Sequence, residues 1–280
     1  MRKQSLILWI VAFFITIGSA VYQRMTGPSY PLSGSVVLAG KEVVYRLSQS
    51  EEQRNAEVKI ATGDSTTRGW IEWKRIKTDD PWTKTAMMYR DRSLLCELPM
   101  QPPAGKLVYR VLLENGGQLA VVPPSAAAVI RFKGDVPGLI LWTHILTMFL
   151  AMMFSTRAGL EFFSSTPRLR TLTFLTVSFF FLGGVILGPL VQKYAFDAYW
   201  TGWPFGTDLT DNKTALAMIG WVAAAVAIYK SKHPKAWVLA AAIILLLVYL
   251  IPHSFLGSEL DYSKIDSKHK NIPQAAPDSR

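Results

Sequence analysis

His144 is the first residue whose type and place call for chemistry. It stands in Leu139-Ile140-Leu141-Trp142-Thr143-His144-Ile145-Leu146, a stretch that is otherwise apolar. An ionisable side chain inside a membrane-length apolar run is costly and marks a functional site by default. The competing role is a neutral imidazole that hydrogen-bonds a neighbouring helix. His253 follows Pro252 at the end of the last apolar run. Glu259 and Asp261 come soon after it, across a turn at Gly257-Ser258. A third group lies in the loop from Trp200 to Lys213, which holds Asp208 and Asp211 among glycines, prolines and aromatics.

Two imidazoles with several carboxylates form a donor set for a transition metal. Two histidines on facing helices form the donor set for a haem iron. His144 sits eight residues into its run, about 12 Å deep at about 1.5 Å per residue, whereas His253 is near a surface. Those depths disfavour paired axial ligation of one haem. The candidate cofactors are therefore a transition metal or haem on His144 and His253. The metal set extends to Asp208, Asp211, Glu259 and Asp261. No residue is assigned a catalytic role.

Ordinary structural duties compete for the same residues. Trp200, Trp203 and Phe205 suit an interfacial aromatic belt. Gly202, Pro204 and Gly206 impose a backbone path. Thr210 or Asp211 suits the cap of a following helix, whose positive N-terminus favours acids. The chain has no P-loop, dinucleotide fingerprint, HExxH or Gly-x-Ser-x-Gly motif, so no enzyme class is indicated. Cys96 is the single cysteine and cannot form an internal disulfide. It is expected to serve as a small apolar residue in a strand.

The elements that must position these groups are apolar runs. Half of the 280 residues are apolar, and they collect in stretches 5–22, 136–156, 171–192, 214–229 and 236–251. Such runs predict five transmembrane helices, the first an uncleaved signal anchor over residues 1–23. The last two are short at sixteen residues, about 24 Å of helix. Gly183-Gly184 with Gly188-Pro189 inside the third run predicts close helix packing or a hinge.

Charge sets the orientation. Arg2, Lys3, Arg157, Arg168, Arg170, Lys230, Lys232 and Lys235 are eight bases that flank the runs, against one acid there, Glu161. The positive-inside bias places the N-terminus and these loops in the cytoplasm. Residues 33–133, the loop before residue 214 and the C-terminus then lie outside, as in a multi-pass protein of a bacterial inner membrane. Nucleic-acid binding is not expected, because the excess charge lies at helix ends rather than on one basic face.

Residues 33–133 change texture. Nine short runs rich in Val, Ile, Tyr and Trp alternate with turn clusters, which predicts an all-β sandwich inserted between the first two helices. Asn115-Gly116-Gly117 predicts a hairpin turn with glycines at positive φ. Trp70, Trp73 and Trp82 are expected at the core and rim. In size and strand count the segment resembles immunoglobulin or fibronectin-III domains, though it lacks the paired cysteines of antibody domains. That resemblance implies a fold and no particular function. Residues 136–255 form the four-helix membrane domain. Residues 256–280 form a polar outer tail, expected to be disordered from 265 onward.

The functional expectation is a non-enzymatic accessory or binding subunit of a membrane complex. Its partners would be membrane lipids and a membrane or periplasmic protein. The alternatives are a membrane redox or metal/haem-binding protein and, last, a small transporter, for which matched repeats are missing.

Overall fold

The computed structural model describes residues 2–252 and 259–270. His253, the turn at Gly257-Ser258 and residues 271–280 lie outside that description. The chain divides into two compact units, residues 1–30 with 134–258 and residues 31–133 with 259–280.

The first unit is helical. Helix α1 (Arg2–Thr26) is followed, after the β unit, by α2 (Gly138–Gly159), which ends in a 3-10 turn over Leu160–Phe163. Helix α3 (Leu169–Phe180) runs through a π-helical segment (Phe181–Leu187) into α4 (Gly188–Phe196). Helices α5 (Leu209–Lys230) and α6 (Pro234–Leu250) complete it. Among the described residues, four helical stretches, 3–26, 138–163, 169–196 and 209–230, are long and apolar enough to cross a membrane, so the chain has the make-up of a membrane protein. Helix α6 is apolar but has only 17 residues.

Among lipid-compatible helices, association depends on close packing rather than on apolar burial. The shared core accordingly uses small residues beside large ones, including Ala151, Ala158, Ala217, Ala224 and Ala241 around the fully buried Trp221. A Cβ on Gly159 would stand 2.6 Å from Ala242 Cβ, so only glycine lets α2 and α6 approach there.

Among its described residues the second unit carries eleven strands. Strands β1 (Leu32–Leu38) and β2 (Lys41–Leu47) pair as a hairpin. A larger sheet runs β3 (Ser50–Glu51), β11 (Ala128–Phe132), β9 (Lys106–Asn115), β5 (Arg68–Arg75) and β6 (Thr83–Ala86), with β10 (Gln118–Val122) also on β9. A third sheet orders β4 (Ala56–Ala61), β8 (Ser93–Leu98) and β7 (Met88–Arg90). Alternation builds the core: Leu107, Tyr109, Val111 and Leu113 of β9 are all fully buried, while the residues between them are not. They share one cluster with Tyr45, Ile60, Ile71, Leu94 and Phe132, drawn from all three sheets.

The hairpin at Asn115 forms with Gly116 at φ +57° and Gly117 at φ +78°. Cys96 and Trp73 pack partly buried against the core, and Trp82 is exposed beneath the Arg110 guanidinium, 5.1 Å from the ring centre. One expected strand, 85–89, is two. Strand β6 pairs with β5, and β7 pairs with β8 in a different sheet. The chain changes sheet at the buried Met87, whose N–H still bonds Gly69 O at 2.8 Å.

The tail differs from the disorder expected after residue 265. Tyr262–Lys270 forms helix α7 within the β unit. Tyr262 is buried under Arg75, and burial pushes its phenol up to about 12. Arg75 bonds both Asp80 (2.6 and 3.0 Å) and Asp266 (2.8 and 2.9 Å). Glu259 binds Lys106 at 2.6 Å and also Lys77. A polar segment thus orders through paired charges rather than apolar area.

That latch should open in acid. Burial alone would raise Glu259, but bonds from Lys106 and Lys77 outweigh it, and its pKa lies below the usual carboxylate value. The Arg75 guanidinium likewise holds Asp80 low. A depressed pKa gives stability that is present above the unfolded value of about 4 and is lost as pH falls through the folded value. The protection factor of the Leu260 N–H, which bonds Ala104 O at 3.2 Å, should therefore fall below about pH 4 once the intrinsic pH dependence of exchange is divided out. Unchanged protection in acid would show that the ion pairs do not hold the latch.

Candidate functional site

Helix α2 presents His144 and Met148, one turn apart, to a cavity of about 110 Å³ in the helical unit. Gly184, Gly188, Gln192, Asp208 and Asp211 line the same cavity. His144 Nδ1 lies 3.0 Å from the carbonyl oxygen of Gly183. A carbonyl can only accept, so Nδ1 carries the proton and donates. Nε2 keeps its lone pair. No described residue bonds Nε2, and it is not an enclosed orphan atom.

Gly183 O also accepts the N–H of Gly188, the i+5 bond of the π-helical segment. The local sequence explains this turn. Pro189 has no N–H and its ring would collide with the carbonyl four residues before it in an α-helix. One extra residue per turn relieves that conflict, and such turns are frequent at functional sites. A Cβ on Gly183 would stand 2.8 Å from Thr147 Oγ1 and 2.9 Å from Met148 Sδ, so glycine lets this turn reach α2.

The far wall is the loop before α5. Asp208 caps the helix, Oδ1 accepting from Thr210 N–H at 2.7 Å, while Oδ2 accepts from Thr201 Oγ1 at 3.2 Å. Asp211 Oδ2 collects the backbone N–H of Thr201 (2.6 Å), that of Gly202 (2.9 Å) and the Gln192 amide (3.2 Å). Asn212 Oδ1 accepts from Trp203 N–H at 2.7 Å. A Cβ on Gly202 would stand 2.6 Å from Asp211 Cβ, which explains the glycine. Both carboxylates therefore fold the loop. Asp211 Oδ1 has no partner among the described residues.

The six sequence-derived site residues divide three ways. His144, Asp208 and Asp211 line one cavity. Glu259 and Asp261 belong to the β unit, where Glu259 pairs with two lysines and Asp261 accepts from Ser263 Oγ at 2.6 Å. His253 lies outside the described residues. Among those described, no three His, Cys, Asp or Glu side chains group as metal ligands.

Sequence reasoning missed Met148 and Gln192, whose residue types carry no signal of their own. It also missed Lys213, buried with its ammonium on Ile251 O. The readable sign was a charge just inside an apolar helix. Arg157, read only as a loop marker, is buried with Glu161 at 2.5 Å. An Arg and a Glu four residues apart at a span end were the clue there. No family model, curated protein or solved structure matches the chain.

Proposed function

We propose that this chain is a multi-pass membrane protein that holds a transition-metal ion on Nε2 of His144. It serves as a redox or metal-handling component of a membrane complex. The observation that carries the reading is the Nδ1–H bond to Gly183 O, which leaves the ring's other nitrogen as an acceptor at the cavity. A carbonyl partner on the far nitrogen is how proteins orient a ligating imidazole and raise its basicity. Asp211 lines the same cavity, and its Oδ1, which has no partner among the described residues, would serve as a second, harder donor with water completing the shell.

Elemental analysis of the detergent-purified chain, with absorption spectra of the oxidised and dithionite-reduced forms, tests this. One metal per chain is expected, falling at least about tenfold in His144→Ala, the scale at which even support-shell changes act. A metal-free wild type, or equal metal in both proteins, removes the reading. A Soret band would replace the ion by haem.

The second reading is a partner-binding accessory subunit. In it the β unit is a sandwich of immunoglobulin or fibronectin-III type on the non-cytoplasmic side, and α6 is the fifth span. Its support is the outward apolar set Val37, Val44 and Leu119, all more than 60% exposed on the β unit. Large apolar side chains this exposed would mark an interaction surface where they form one contiguous patch. Loss of a co-purifying protein on Val37→Lys with Leu119→Lys would favour this reading; unchanged composition would count against it.

A further inference from the structure

Helix α2 has a second polar site about 20 Å from His144, at 13 residues of about 1.5 Å rise. Arg157 is 2% exposed, an unusual burial for a guanidinium. Five N–H donors meet few acceptors. Nη1 lies 2.5 Å from Glu161 Oε1 as an ion pair but not in hydrogen-bond geometry, Nη2 reaches Ser5 Oγ at a long 3.4 Å, and Nε has no hydrogen-bond partner. The Trp9 ring covers one face, 5.4 Å from the guanidinium carbon. Glu161 is fully committed, since its Oε2 accepts the backbone N–H of Arg168 at 3.0 Å.

This group forms the floor of a cavity of about 330 Å³. Gln4, Ser5, Ser164, Thr166 and Arg168 line the rest, every one able to donate a hydrogen bond. Arg168 and Thr166 stand at the exposed rim, and Lys235 adds an ammonium behind Ser164, on its carbonyl at 2.8 Å. Two guanidiniums, hydroxyls and an amide against one spent carboxylate make an anion receptor. A fork of N–H donors suits a phosphate bidentately.

We propose that this cavity binds a phosphate monoanion or diester, taken either from an anionic lipid headgroup or from free phosphate. Basic pockets at the ends of membrane helices hold lipid headgroups in this way. The inference is independent of the metal at His144 and draws only on the membrane-compatible helices.

The test is native mass spectrometry of the full-length protein in detergent, titrated separately with phosphatidylglycerol, phosphatidylcholine and inorganic phosphate. Arg168→Gln is the main variant, because its exposed side chain can change without disturbing the fold. Arg157→Gln with Glu161→Gln is the second, since it removes the buried guanidinium without stranding a charge. One tightly bound equivalent of phosphatidylglycerol is expected, favoured over phosphatidylcholine and weakened about tenfold or more in each variant, the scale of a charged hydrogen bond. Displacement of that lipid by millimolar inorganic phosphate, with the same loss in the variants, would assign the site to the free ion. Equal binding by wild type and both variants, or none by any, would overturn the proposal.

Discussion

Replacing Glu161 by alanine should destabilise the helical unit by about 3–5 kcal/mol, the cost of leaving a buried charge without its partner. The pair qualifies because its two side chains are 3% and 1% exposed at 2.5 Å. The cavity beside it admits water to the stranded guanidinium, so the lower end of the range is expected. Loss of the Arg168 N–H acceptor adds to the effect at the start of α3. The double change Arg157→Met with Glu161→Gln should cost clearly less than Glu161→Ala alone, since apolar or neutral replacements of a buried pair are often tolerated. Thermal unfolding in detergent measures both. If the single change cost no more than the double, the pair would be solvated and the buried-charge account would fail.

Asp211→Ala is the second large effect, about 2–4 kcal/mol. One carboxylate oxygen serves two backbone N–H groups and one amide. Each buried donor left unsatisfied costs about 1–3 kcal/mol, and the part-exposed Thr201 N–H sits at the low end. The loop packs tightly on Asp211, since a Cβ on Gly202 would stand 2.6 Å from Asp211 Cβ. Faster amide exchange at Thr201 and Gly202 should accompany the loss, and Asp211→Asn, which keeps an acceptor oxygen, should lose less than half as much. The same pair of variants separates clamp from ligand. If Asp211→Asn preserves exchange protection but loses metal, the second oxygen is a ligand. If Asp211→Ala leaves both amides protected, Asp211 is not the clamp.

How much was legible depended on whether the signal was local. Run length and apolarity are local, so the long helices at 138–163 and 169–196 could be read, as could the alternation along β9 and the positive φ at Gly116-Gly117. The cap of α5 was not legible: the sequence suggests Thr210 or Asp211, whereas Asp208 holds that position and Asp211 turns back to the N–H groups of Thr201 and Gly202. Non-local pairings could not be read. The sheet change at Met87 occurs inside one continuous strand-like run, and the choice of partner strand lies elsewhere in the chain. The order in 262–270 comes from Arg75, about 190 residues away, which no compositional measure of a polar tail contains.

The sequence by itself determined that His144 would be an ionisable group in an apolar helix, because hydropathy is a property of neighbours along the chain. It also marked Gly183-Gly184 with Gly188-Pro189 in the third run as a place of close helix packing or a hinge. Only the tertiary structure decided which nitrogen of His144 is left open, because that depends on the Gly183 carbonyl, which sits in a π turn 39 residues away. Only packing decided that Asp211 would spend one oxygen on a loop and keep the other, and that Arg157 would be buried rather than left in solvent. Burial and hydrogen-bond partners are set by what folds over a residue, and the residues that do so here come from other helices.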